Sequence, residues 1–201
     1  MNTHVVPQLE PRPSNLSTAL WLFIIVASML FALFITAYVM RTAGGDWSGI
    51  ALPWQLALST ALLVMGSLTM QLAAHDARLA LWLQARFWLY VGGACAAAFL
   101  GVQLWAWTAL QAAQVRVAPN PAASFFYLLT AMHGLHVLGG LVAWDATTRG
   151  LVRESLAAAE TVRLCARYWH FLLAAWLALL ATLGGATPAF IGWICGSGAA
   201  S

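Results

Sequence analysis

Five runs of apolar residues alternate with short polar connections along the chain. A helix rises about 1.5 Å per residue and a bilayer core is about 30 Å thick, so roughly 20 apolar residues make one crossing. The pattern predicts transmembrane helices over about residues 18–40, 53–74, 87–110, 124–146 and 168–193. Residues 1–17, with Pro7, Pro11 and Pro13, read as a flexible tail, and residues 18–195 as one five-helix unit with no sizeable soluble domain. The first run is longer than the apolar core of a signal peptide, which marks it as a retained anchor.

Punctuation residues fall between the runs. Ser14 or Ser17 can cap the first helix, and Gly44, Gly45 and Asp46 mark a tight polar connection. Pro53 and Pro121 suit first helical positions, where the missing amide hydrogen would be unpaired anyway, and Asn120 can cap the fourth helix. The third helix is expected to begin ahead of its span, with Arg78 and Arg86 snorkelling to the interface. Residues 149–167 carry Arg149, Arg153, Glu154, Glu160, Arg163 and Arg167 and read as a wholly or partly helical surface segment. Pro188, after Gly184 and Gly185, is expected to kink or end the fifth helix.

Composition agrees with a membrane bundle: 62% of residues are hydrophobic and 7% charged, too few charges to cover a soluble surface. The net charge of +3 does not point to nucleic acid, because the nine basic residues are all arginines scattered through connections. They do point to an orientation. A cytoplasmic N-terminus puts Arg12, Arg78, Arg86, Arg149, Arg153, Arg163 and Arg167 inside and leaves Arg41 and Arg116 outside, so the positive-inside rule predicts N-in, C-out.

Chemistry-bearing residues concentrate in the fourth run. Thr130, His133, Val137 and Gly140 share a helical stripe with His136, near Gly134 and Gly139. An imidazole at membrane depth is costly against lipid tails, so this face is expected to grip protein, lipid headgroups or a cofactor. Haem ligation is the sharper reading of these histidines. Depth opposes a simple version of it, because His133 and His136 share one helix and His170 lies about 10 Å away along the membrane normal. Contact to lipid or a neighbouring subunit is therefore expected for His133, His136, Thr130, Trp169, His170 and Gln103. Gly93, Ala97 and Gly101, together with Gly134 and Gly140, are expected to let helices approach closely. No carboxylate lies mid-span, and Cys95, Cys165 and Cys195 form no metal-spaced cluster, so neither an ion carrier nor a metal site is predicted.

Several segments together resemble a known family. Phe126-Tyr127-Leu128-Leu129-Thr130-Ala131-Met132-His133-Gly134-Leu135-His136-Val137, followed by Gly139-Gly140, resembles the F-[FY]-x-x-T-x-x-H-x-x-H-V segment of subunit III of haem-copper terminal oxidases. Tyr168-Trp169-His170-Phe171, with Trp176, resembles that family's YWHF-x-x-x-x-W. Trp21-Leu22-Phe23 through Tyr38 is similar to its first shared helix. Pro53-Trp54, Ser67-Leu68-Thr69 and Gln71-Leu72-Ala73 are similar to its second, and Phe99-Leu100-Gly101, Gln103 and Trp107 to its third. The family pattern has carboxylates where this chain has Ala27, Ala106 and Leu173.

The resemblance implies the short, five-helix form of a non-redox subunit in the bacterial cytoplasmic membrane. Haem and copper would belong to partner subunits and none to this chain. The expected partners are catalytic subunit I, subunit II and phospholipids, and the expected role is to stabilise O₂ reduction and support proton uptake. Two other readings remain: an accessory subunit of a nitric oxide reductase, and a cytochrome b-like protein using His133 or His136 with a ligand from another chain.

Overall fold

The computed structural model describes residues 15–42, 53–112 and 121–185. They form five long helices and no strand: α1 (Asn15–Thr42), α2 (Gln55–Arg78), α3 (Trp82–Ala112), α4 (Pro121–Gly150) and α5 (Leu156–Gly185). All five are long and apolar enough to cross a membrane. The tail over residues 1–14, the glycines at 44 and 45, Asp46, the Asn120 cap, Pro188, Cys195, Arg12 and Arg116 lie outside the described residues.

Helices suit these stretches because a backbone in hydrocarbon must satisfy its own hydrogen bonds. The hydroxyls follow the same rule by folding back on their own helix: Ser28 donates to the Ile24 carbonyl at 2.7 Å and Thr36 to Ala32 at 2.8 Å. Each helix extends past its apolar stretch into more polar sequence. The extension is longest in α5, where the acidic and basic residues from Glu160 to Arg167 ride on the first turns of one continuous helix. Ser155 caps that helix, its Oγ accepting the Ala158 amide at 3.2 Å.

α5 packs on α1, α2 and α4, and α4 also meets α1 and α3. The antiparallel pair α2 and α3 is the closest-packed, because both helices present small residues at the contact. Ala73, Ala74 and Ala77 on one side and Ala85, Gly92 and Ala96 on the other are all buried. A Cβ on Gly92 would lie 2.7 Å from Met70 Cε. The turn between them is short: the Leu81 amide reaches back to the Asp76 carbonyl at 2.9 Å while Ala80 takes a left-handed φ of 57°.

A four-residue spacing drifts off one face of a 3.6-residue helix. Gly93 accordingly sits beneath the Trp144 indole of α4, whereas Ala97 and Gly101 have rotated to the exposed surface, with nothing within 4 Å of a Cβ on Gly101. The small residues that meet α2 are Gly92 and Ala96 instead.

α4 turns into α5 through a single 3-10 turn, Leu151–Arg153, and Glu154 at φ 45°. Arg86 at the start of α3 straps this corner, its guanidinium donating to the Leu151 carbonyl at 3.4 Å and to Glu154 at 3.3 Å. Asp145 pairs with Arg149 and Glu160 with Arg163 nearby. The same end of the bundle therefore collects Arg78, Arg86, Arg149, Arg153 and Arg163. α1 is the most loosely held helix, with only Ala27, Phe31 and Tyr38 buried.

Candidate functional site

The inward face of α4 is built from Phe126, Leu129, Thr130, His133, Val137 and Gly140, a three-and-four spacing that keeps them on one stripe. Its centre is His133, which is 0% exposed. Three helices supply aromatic rings around its imidazole: Trp176 of α5 at 5.0 Å between centroids, Phe99 of α3 at 5.6 Å and Phe31 of α1 at 6.3 Å. Neither ring nitrogen of His133 has a hydrogen-bond partner among the described residues. Gln103 on α3 is in the same condition, 3% exposed with both amide atoms unpartnered. A buried polar group left so costs on the order of 1–3 kcal/mol.

The neighbouring polar groups are satisfied. Thr130 donates to the Phe126 carbonyl at 2.7 Å and accepts the Trp107 indole N–H at 3.1 Å. Trp176 donates its indole N–H to Thr60 at 3.0 Å.

His136 lies to one side of His133, half-buried towards α1. Its Nδ1–H donates to the Met132 carbonyl at 2.7 Å, and its ring packs on Phe31 at 5.1 Å and Phe23 at 5.9 Å. The carbonyl of His136 accepts the Tyr168 hydroxyl at 2.9 Å, which ties α4 to α5. Gly140 makes that approach possible, since a Cβ there would come within 2.9 Å of Tyr168 Cε1. Gly134 is less constrained, with Leu100 at 3.8 Å from the same point.

His170 stands apart from this cluster and joins α5 to α2. Nδ1 accepts the Ser67 hydroxyl at 2.5 Å, and Nε2–H donates to Gln71 Oε1 at 3.0 Å, which fixes the tautomer. Trp169, its neighbour, turns inward and is 1% exposed. The structure thus places Thr130 and His133 on the inward face of α4, keeps Gln103 buried on α3, places His136 near α1, and puts His170 on another face. The positions matched to family carboxylates differ too: Ala27 and Ala106 are buried and Leu173 is half-buried.

Ser67 and Gln71 were not singled out as site residues from the sequence. Two polar residues four apart in an apolar run share a helix face, and that spacing was the available signal.

The rings around His133 leave no gap for a macrocycle beside its imidazole. Among the described residues, no group of three or more His, Cys, Asp or Glu is placed to hold a metal ion.

A second feature lies towards the arginine-rich end. α1, α4 and α5 border an open apolar cavity of about 460 Å³, whose walls include Leu16, Leu20, Phe23, Gly139, Thr147 and Tyr168. Beside it Arg167 lies over the Trp21 ring, 5.4 Å from its centroid.

No protein-family model matches the chain. It is 30% identical over 182 residues to a probable cytochrome c oxidase subunit 3 of Nocardia farcinica, an alignment covering 86% of this chain and 88% of that one. It is 34% identical over 170 residues to subunit 3 of the cytochrome bo(3) ubiquinol oxidase of Pseudomonas aeruginosa, covering 78% of each. A cytochrome c oxidase subunit 3 of Corynebacterium diphtheriae is 25% identical over 182 residues, covering 86% of this chain and 88% of that one. With five membrane-length helices in order and relatives aligned over most of their length, the chain belongs to the subunit 3 family of cytochrome c and ubiquinol oxidases.

Proposed function

We propose that the chain is a non-redox accessory subunit of a haem-copper respiratory oxidase that reduces O₂ to water with proton translocation. It packs on catalytic subunit I, and on subunit II, in the bacterial cytoplasmic membrane. The observation that carries this reading is the use made of the histidines: His133 is walled in by rings from three helices and His170 is committed to Ser67 and Gln71. Side chains so occupied hold helices together. Haem and copper belong to the partner subunits.

The apolar cavity between α1, α4 and α5 supports a lipid role. Acyl chains suit its walls, and Arg167, held over Trp21 beside it, is a cation that suits a phosphate headgroup. The arginines gathered at one end support a cytoplasmic N-terminus by the positive-inside rule. Bound lipid and a firm helix bundle would in turn steady the catalytic subunit and its proton uptake.

The relatives named above are oxidase subunits, which favours an oxidase over a nitric oxide reductase as the partner. Mild-detergent purification through a tag on this chain tests the reading. A co-purifying subunit rich in haem and copper is the expected result, and isolation of this chain alone would reject it. A Soret band that stays with the separated chain would instead favour the cytochrome b-like alternative.

A further inference from the structure

We infer that the outer face shared by α2 and α5, around Gln71 and His170, is where a transmembrane helix of the catalytic subunit docks, offering a hydrogen-bond acceptor to the Gln71 amide. The inference rests on the accessory-subunit reading above and says which face that reading uses. Both residues lie inside apolar runs, 53–74 and 168–193, yet both are exposed on the surface of the bundle. The other glutamines and histidines described within the five runs are covered: Gln55, Gln103 and His133 are buried and His136 is half-buried. Polar side chains at membrane depth face the protein interior or a partner, because hydrocarbon supplies them no bond.

The pair is held in place and has bonding capacity left. Ser67 donates to His170 Nδ1 at 2.5 Å, and Nε2–H donates to Gln71 Oε1 at 3.0 Å. An amide whose oxygen is committed in this way still has two N–H donors to give. The covering group must therefore carry an acceptor, such as a hydroxyl, a carboxylate or an amide oxygen. Acyl chains carry none.

The surface beside the pair suits a helix. From His170 the exposed side of α5 continues through Ala174, Ala178 and Ala181 for about 16 Å, with Leu177 the one large side chain among them. Small residues let a second backbone come close, which is where helices in a bilayer gain their packing. Ala97 and Gly101 on α3 are also small and exposed, but the glutamine on that span, Gln103, is buried. Only the α2–α5 face joins a smooth surface to an exposed amide and imidazole among the described residues.

The test uses the assembled complex, purified in mild detergent through a tag on this chain. A photoactivatable benzophenone side chain in place of Leu68, which is 60% exposed and one turn from Gln71, is expected to cross-link to the catalytic subunit. The Ala174→Leu/Ala178→Leu variant is expected to lower the haem recovered per tagged chain about tenfold, by overfilling the docking face. Gln71→Leu is expected to lower it about threefold, the worth of one bond of this kind. Gly101→Leu on α3 is expected to leave it unchanged. Cross-links from Leu68 to lipid alone, or to a second copy of this chain, would overturn the assignment. So would full haem recovery in the double variant, or an equal loss in Gly101→Leu. If the double variant does not fold, the cross-link in the otherwise native chain decides. Haem that co-purifies with the native chain while these tests fail rejects the face and leaves the accessory role standing, whereas a native chain that brings down no haem rejects both.

Discussion

Ser67 on α2 and His170 on α5 stand 103 positions apart in the chain, yet the hydroxyl meets Nδ1 at 2.5 Å. The bond is one of three polar contacts between these helices, with His170 to Gln71 and Trp176 to Thr60. Ser67→Ala is expected to weaken the α2–α5 contact by about 0.6 kcal/mol, and by no more than about 1.7, the range for such bonds inside membranes. A double-mutant cycle with His170→Ala, followed by denaturant unfolding in mixed micelles, measures the coupling. A coupling indistinguishable from zero would mean that the pair is adventitious.

Gly140 and Gly139 are neighbours with opposite surroundings. A Cβ on Gly140 would press on Tyr168 at 2.9 Å and Leu172 at 3.2 Å, whereas one on Gly139 would meet nothing within 4 Å. Gly140→Ala is therefore expected to cost about 1–3 kcal/mol by overpacking. Gly139→Ala should change stability by less than about 0.5 kcal/mol. Unfolding midpoints of the two variants, measured side by side, check the contrast.

Ala80 adopts φ 57° at the end of α2, a conformation that a Cβ disfavours. Ala80→Gly is expected to stabilise the α2–α3 turn by about 1 kcal/mol, read as a higher midpoint in the same assay. No gain would show that the turn relaxes to another geometry.

If the cavity between α1, α4 and α5 holds an acyl chain, filling it should release lipid without unfolding the bundle. Ala146 lines that cavity. Ala146→Phe is expected to reduce the phospholipid retained per chain in native mass spectrometry while the helical content stays unchanged. Unaltered lipid retention would separate the cavity from any lipid role.

Much of this architecture is legible in the sequence, for a physical reason. A membrane helix must be apolar for its whole crossing, so five crossings announce themselves without any tertiary information. The stripe of Thr130, His133, Val137 and Gly140 could also be read, since helical geometry alone puts them on one face, and all four are buried. Helix ends were harder to place. Helices continue beyond the hydrocarbon when the following residues favour it, as the alanine-rich start of α5 from Leu156 does. The partners of each polar group were not legible at all. That Ser67 meets His170, or that Phe31, Phe99 and Trp176 converge on one imidazole, depends on helix order and rotation, which local pattern does not carry.

α1 is both the most apolar of the five helices and the one that its companions cover least. It leaves the ribosome before α4 and α5, the two helices it docks on, have been made. In that interval it must lodge alone among acyl chains. A strand of chain with a polar seam would need a custodian while it waited. One that is greasy on every side can idle safely until its berth is ready.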